Sequence, residues 1–186
     1  MGTATMVESS LGGIVYGNLS EVAKTSGSLM GQSTDDTWIL ENLDATRWLG
    51  IALVQRLPAL SVLLLEGPLG AGKTSVVQGI ATALGIREPI TSPTYALAQH
   101  YPDGNPPLIH LDLYRLEQPS TANELFLQEE EEAQALGALM AVEWPDRLSL
   151  NLPEAWRLQL QHRAQGGRIA QFTSPSNDPK NSSTCI

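Results

Sequence analysis

The sequence predicts one α/β domain with a mostly parallel central sheet, flanking helices and an antiparallel hairpin near its C-terminal end. Apolar, strand-like runs alternate with helix-like segments through the middle of the chain, which is typical of a parallel sheet. Two further strand-like runs are separated by Gly166-Gly167, a dipeptide that favours a tight hairpin turn. The chain has 186 residues, 42% of them hydrophobic, which is enough for a single core.

We expect the domain to span residues 37–173. Residues 1–36 are rich in Gly, Ser and Thr without a sustained helical or strand period, which predicts a flexible arm. Residues 174–186 combine Pro, Asn, Ser and Asp, which predicts a disordered tail.

The predicted strands are short runs rich in apolar or β-branched residues that end at turn-forming or polar residues. The run over Ser61–Leu65 is apolar without alternation, which is typical of a strand buried on both faces. In chain order, the strands are predicted at Thr37–Leu40, Ser61–Leu65, Tyr95–Tyr101, Leu108–Leu113, Leu139–Glu143, Arg157–His162 and Arg168–Thr173.

Three helices are predicted between these strands. The first covers Ala45–Leu57, with Asp44 as the N-terminal cap and Pro58 as the stop. The second runs from Lys73 to Leu84 and is closed by Gly85. The third covers Thr121–Gln134, and its acidic run Glu129–Glu132 is expected to be solvated on the surface.

The charge balance and the cysteine content exclude several classes of protein. Eleven Lys and Arg residues against twenty Asp and Glu residues give a net charge of −9, which argues against a protein that grips nucleic acid alone. The single cysteine excludes an internal disulfide framework and a cysteine-based zinc site. We find neither an apolar run near the roughly 18–20 residues of a membrane span nor a secretory signal, so a soluble, cytoplasmic protein is expected.

Residues 67–74, GPLGAGKT, fit the phosphate-binding pattern G-x-x-x-x-G-K-[ST] without a mismatch. The glycines allow the loop to wrap closely around a polyphosphate, and the following helix adds its partial positive charge. Lys73 is expected to reach the β- and γ-phosphates, and the Thr74 hydroxyl to bind Mg²⁺. Because the motif lies between a buried strand and a helix, it predicts a site for a nucleoside triphosphate.

Two acidic residues end apolar strands, Asp112 and Glu143. A phosphate-binding loop of this kind needs a carboxylate at the end of a neighbouring strand to hold hydrated Mg²⁺, and either residue could supply it. His110 alternates with Asp112 and is expected on the same face of its strand. A lone histidine is more often structural than catalytic, so His110 is assigned no catalytic role.

The combined motifs resemble the TsaE (YjeE) family, the ATPase subunit of the bacterial machinery that makes threonylcarbamoyladenosine (t6A) in tRNA. The matching segments are LGAGKT at residues 69–74, SPTY at 92–95, HLDLYR at 110–115 and EWP at 143–145. The similarity extends from about Leu40 to about Phe172. The last three segments make the resemblance specific, because many unrelated ATPases and GTPases share the first.

The resemblance implies a P-loop fold that binds ATP or ADP with Mg²⁺ and hydrolyses ATP slowly. It implies roles in activity for Lys73, Asp112 and Trp144, and a metal site at Thr74 and Glu143. The implied nucleotide-binding residues are Leu69, Gly70, Ala71, Gly72, Lys73, Thr74, Ser75, Ser92, Thr94 and Arg168.

The resemblance also implies the partner proteins TsaB and TsaD, with tRNA bound only through the complex and no membrane involved. Two alternatives remain open from the sequence. One is a stand-alone P-loop kinase of small metabolites, although the chain has few basic residues for a phosphate-clamping lid. The other is a nucleotide-sensing interaction module without useful hydrolysis.

Overall fold

The computed structural model describes residues 35–175 of the chain. The arm expected at 1–36 and the tail expected at 174–186 therefore lie almost entirely outside the described residues. None of the helices within 35–175 is both long and apolar enough to cross a membrane.

Seven strands form one sheet, in the spatial order β1-β7-β6-β2-β5-β4-β3. In chain order the strands are β1 (Asp35–Leu40), β2 (Val62–Glu66), β3 (Ala98–Tyr101), β4 (Leu108–Asp112), β5 (Leu139–Glu143), β6 (Trp156–His162) and β7 (Arg168–Thr173). The central strands β6, β2, β5 and β4 pair in parallel, and the remaining pairings are antiparallel. The predicted α/β class is confirmed, including the late antiparallel hairpin of β6 and β7.

The three helices are α1 (Leu43–Val54), α2 (Lys73–Ala83) and α3 (Pro119–Leu136). The first two contribute, with β2, β6 and β7, to one hydrophobic cluster. The third packs on the opposite face, where Phe126 and Ala133 join a second cluster with residues of β4 and β5. The sheet is therefore covered on both faces, and this explains why β4 and β5 are buried along their whole length.

The N-terminal cap of α1 differs from the prediction. Asn42 caps the helix, since its side-chain oxygen accepts a hydrogen bond from the Ala45 backbone N–H at 2.8 Å. Asp44 lies inside the first turn and forms an ion pair with Arg47 at 2.7 Å. The prediction was wrong because Asn and Asp are both good caps, and their sequence positions alone did not show which one precedes the helix.

The strand predicted over Tyr95–Tyr101 is shorter than expected and begins at Ala98. Leu97 has a left-handed backbone with φ 67°, and its carbonyl accepts a hydrogen bond from Asp112 N at 2.9 Å. The chain before Ala98 is therefore a loop that returns to the end of β4.

The acidic run of α3 is only partly a solvated surface. Glu131 and Glu132 are exposed, but Glu129 is buried and its carboxylate lies 2.6 Å from His100 Nε2 of β3. The expectation that the whole run is solvated was wrong at this position, because one face of α3 packs on the sheet.

Helices α1 and α2 approach each other closely at two glycines. A Cβ on Gly79 would overlap the Arg47 carbonyl oxygen, and one on Gly50 would overlap the Val76 carbonyl oxygen. Because α2 begins at the end of the GPLGAGKT loop, this contact also fixes where the loop lies relative to α1.

We predict that Gly79→Ala lowers the free energy of unfolding by about 1–3 kcal/mol, since backbone rather than a flexible side chain must move. Thr82→Ala, at an exposed position of the same helix, is the control and should change stability by less than about 1 kcal/mol. Urea denaturation measures both. A Gly79→Ala protein as stable as the unmodified chain would contradict the close helix contact.

Candidate nucleotide site

The GPLGAGKT loop joins the end of β2 to the start of α2. Gly67 and Gly72 have positive φ angles of 137° and 104°, which L-residues with side chains rarely adopt. A Cβ on Gly67 would also overlap the Leu160 carbonyl oxygen of β6. Both glycines are therefore required by the backbone of the loop and by its close packing against the sheet.

Lys73, the first residue of α2, is only 4% exposed. Its Nζ donates hydrogen bonds to the carbonyl oxygens of Gly67 at 2.8 Å and Pro68 at 3.1 Å. Burial lowers the pKa of Lys73, and the nearby carboxylates of Glu143, Asp112 and Asp146 act in the opposite direction. The side chain is thus turned back onto its own loop and carries its donors into a largely desolvated space.

Asp112 and Glu143 stand side by side at the ends of β4 and β5, where their Cα atoms are register partners. Both side chains are buried, at 2% and 3% exposure. Since neighbouring strands in register point matching side chains to the same face, the two carboxylates project together toward the start of α2.

Glu143 is held at one carboxylate oxygen. Thr74 Oγ1 donates to Glu143 Oε1 at 2.8 Å, and His110 Nε2 lies 2.9 Å from the same oxygen. The hydroxyl of the phosphate-binding motif and the acid of β5 are therefore in direct contact.

Asp112 connects β4 to the loop that precedes β3. Its Oδ2 accepts hydrogen bonds from Ser92 Oγ at 2.7 Å and Thr94 Oγ1 at 2.5 Å. Its Oδ1 accepts from the Tyr114 backbone N–H at 3.0 Å. One carboxylate thus orders the Ser92–Thr94 loop and the chain that leaves β4.

Trp144 follows Glu143 with a left-handed backbone, φ 62° and ψ 50°, which is rare for a bulky residue. Its ring lies beneath Lys73, with Nζ 3.7 Å from the ring centroid, and contacts the Tyr114 ring at a centroid distance of 4.8 Å. This unusual backbone turns the chain at the end of β5 so that the indole joins the wall of the site.

Arg168, at the start of β7, reaches the GPLGAGKT loop from the far side. Its Nε donates to the Ala71 carbonyl at 2.7 Å, and one terminal nitrogen donates to the Gly70 carbonyl at 3.3 Å. The late hairpin therefore stabilises the loop conformation directly.

These groups line one cleft of about 510 Å³. Twelve of the thirteen residues that the sequence singled out lie on its wall: Leu69, Gly70, Gly72, Lys73, Thr74, Ser75, Ser92, Thr94, Asp112, Glu143, Trp144 and Arg168. Ala71 does not, because its methyl group is buried in the core. Sequence reasoning missed Leu43 and Tyr114, which complete the wall. Tyr114 lay within the HLDLYR segment, whereas no pattern marked Leu43.

A second cleft of about 520 Å³ shares Trp144 with the first. Its wall includes Leu148, Leu150 and Leu152, together with the ion pair of Glu66 and Arg157 at 2.8 Å. The two clefts are nearly equal in volume, but the motif lysine and both strand-end carboxylates line only the first. We therefore place the candidate site in the first cleft.

The oxygen atoms of this cleft are suitable ligands for a hard cation that is also bound by phosphate oxygens. Thr74 and Glu143 offer oxygen ligands, the type that Mg²⁺ prefers. Among residues 35–175, no group of three or more His, Cys, Asp or Glu side chains is arranged to hold a metal ion. In nucleotide sites, Mg²⁺ is commonly held by one or two protein oxygens together with the phosphates.

Residues 40–170 match the family model described as "Threonylcarbamoyl adenosine biosynthesis protein TsaE". The Nostoc sp. tRNA threonylcarbamoyladenosine biosynthesis protein TsaE is 42% identical over 135 residues, covering 72% of this chain and 83% of the relative. The Bacillus subtilis protein of the same name is 40% identical over 118 residues, covering 62% and 71%.

Among solved structures, the chain is similar to the crystal structure of Bacillus subtilis YdiB. The TM-score is 0.61 at 27% sequence identity, and the match covers 77% of this chain and 87% of the other. The fold, the arrangement of the cleft and these similarities agree, and the chain belongs to the TsaE family of threonylcarbamoyl adenosine biosynthesis proteins.

Proposed function

We propose that this protein is a Mg²⁺-dependent ATPase that acts with TsaB and TsaD in forming t6A in tRNA. The observation that carries the proposal is that one cleft combines the phosphate-binding loop, the Thr74–Glu143 contact and an Asp112 carboxylate that is hydrogen-bonded to the Ser92–Thr94 loop. Its relatives are named for threonylcarbamoyladenosine biosynthesis, which supports the pathway.

Different side chains of the cleft would bind the phosphates, bind the metal and orient the attacking water. Lys73 would exchange the Gly67 and Pro68 carbonyls for phosphate oxygens, and the loop N–H groups would bind the remaining phosphate charge. Thr74 and Glu143 would hold Mg²⁺, which neutralises charge on the phosphates when it is bound. Two buried carboxylates line the cleft, and Glu143 is assigned to the metal. The other, Asp112, would orient the attacking water.

The hydrogen bonds of Asp112 support a dependence of turnover on partner proteins. The same carboxylate that would orient water also holds Ser92 and Thr94, so a contact that moves this loop changes the carboxylate. Tyr95, next to Thr94, is 88% exposed and available to a partner protein. The net charge of −9 supports tRNA binding by the partners rather than by this chain.

The kinase alternative is less well supported. Of the residues that line the cleft, the cationic ones are Lys73 and Arg168, and Arg168 is bonded to the Ala71 and Gly70 carbonyls. A metabolite kinase needs further arginines to clamp the transferred phosphoryl group.

We predict that Lys73→Ala reduces ATP turnover by about 10²-fold or more, because the phosphates lose a buried cationic donor. The measurement is Mg²⁺-dependent phosphate release by the protein alone and with purified TsaB and TsaD, with Arg87→Ala as an exposed basic control. Turnover should be slow alone and should rise with both partners, except in Lys73→Ala.

Turnover that ignores TsaB and TsaD would contradict the partner-dependent proposal. Asp112→Asn separates hydrolysis from sensing: full t6A formation by that variant would support the nucleotide-sensing module instead. Phosphate transfer to a metabolite without other proteins would support the kinase.

We also predict that ADP changes the tryptophan fluorescence, because Lys73 Nζ lies against the Trp144 ring and would move toward the phosphates. The chain has four tryptophans, so Trp144→Phe is the control that isolates this one. The change should be present in the unmodified protein and absent in Trp144→Phe. An equal change in both proteins would mean that the signal comes from the other tryptophans, and would contradict the predicted loss of the contact between Lys73 and Trp144.

A further inference from the structure

His110 is completely buried on β4, two residues before Asp112 and on the same face of the strand. Its backbone is in register with Ala141 of β5, two residues before Glu143. The imidazole therefore lies in the layer of the sheet directly behind the two carboxylates. It is not on the wall of the cleft and does not contact the space where a nucleotide would bind.

Within residues 35–175, the imidazole makes one polar contact, from Nε2 to Glu143 Oε1 at 2.9 Å. An ionised carboxylate only accepts hydrogen bonds, so Nε2 carries the proton and donates. The other ring nitrogen, Nδ1, is buried and has no hydrogen-bond partner among the described residues. Burying an unpaired polar atom carries a free-energy cost, and within the described part of the chain the contact with Glu143 is the polar gain that offsets it.

Glu143 Oε1 receives a second hydrogen bond, from Thr74 Oγ1 at 2.8 Å. His110 comes from the sheet and Thr74 comes from α2, so two independent elements fix the same oxygen. Without His110, the one side-chain donor left to Glu143 among the described residues would be Thr74, which is itself proposed to bind the metal. A carboxylate held by a single donor can rotate to other positions, and the free energy of holding it in place must then come from metal binding.

We propose that His110 is a positioning residue that orients the Glu143 carboxylate for Mg²⁺ bound with the nucleotide. This inference rests on the proposed function, because it assigns His110 a part in the same site. His110 touches neither nucleotide nor metal and acts only through Glu143. Its removal should therefore weaken the contribution of Mg²⁺ and leave the binding of nucleotide without metal unchanged.

The test uses two amides that differ only in reach. In His110→Gln the amide nitrogen is as many bonds from Cβ as Nε2 of histidine, so it can still donate to Glu143. In His110→Asn the amide stops at the position of Nδ1 and cannot reach. His110→Leu removes the donor altogether, and Ile109→Val, on the opposite face of the same strand, controls for a mild core change.

The measurement is ADP affinity by calorimetry in the full-length protein, with EDTA and across a Mg²⁺ titration. In His110→Asn and His110→Leu, the Mg²⁺ concentration for half-maximal effect should rise about 10-fold, while affinity in EDTA stays within about twofold. His110→Gln should recover most of the Mg²⁺ response, and Ile109→Val should match the unmodified protein.

An unchanged Mg²⁺ requirement in His110→Asn would overturn the positioning role. Equal losses in His110→Gln and His110→Asn would also overturn it, as would a loss of ADP affinity in EDTA, which indicates a structural role. If His110→Leu does not fold, the comparison of His110→Gln with His110→Asn still tests whether His110 positions Glu143. ADP binding that is independent of Mg²⁺ in the unmodified protein would overturn the proposed function, and this inference with it.

Discussion

The parallel pairing of β2, β5 and β4 is the constraint on which the site depends. It places the carboxyl ends of three strands at one edge of the sheet, so the GPLGAGKT loop meets Glu143 and Asp112 although these segments are far apart in the chain. Ligands commonly bind at this edge in parallel sheets. A slip of one residue between β4 and β5 would turn one of the two acids to the opposite face of the sheet.

The polar groups of the cleft form hydrogen bonds with one another and with their own loop. Lys73 is bonded to its own loop, Thr74 to Glu143, and Ser92 and Thr94 to Asp112. Each of these contacts uses an atom that the proposed chemistry requires. Nucleotide binding would therefore exchange some of these internal hydrogen bonds for contacts with phosphate and metal, so that the buried polar groups remain hydrogen-bonded. Because Ser92 and Thr94 are bonded to Asp112, a change in the contacts of Asp112 on nucleotide binding or hydrolysis would alter the position of the Ser92–Thr94 loop.

Sequence reasoning reached most of the fold, the phosphate-binding loop and the two strand-end acids because their signals were local, whereas Ser92, Thr94, Trp144 and Arg168 were expected only from the resemblance to the TsaE family. A buried strand, a glycine loop and a helix in succession define the phosphate-binding motif within a few residues. Other features depended on contacts that no local pattern reveals. The choice of Asn42 over Asp44 as cap, the burial of Glu129 against His100 and the place of Leu43 on the cleft wall all come from packing between distant segments. The hydrogen bond from His110 to Glu143 likewise joins two strands and was not visible from spacing.

A crystal structure with Mg²⁺ and a non-hydrolysable ATP analogue would show whether one cleft binds nucleotide and metal through the phosphate loop and the strand-end acids. We expect the triphosphate in the loop, Lys73 Nζ moved from the Gly67 and Pro68 carbonyls to the phosphates, and the metal at Thr74 and Glu143. Nucleotide bound in the second cleft would rule out this site, as would a Lys73 that remains bonded to its own loop beside a bound triphosphate.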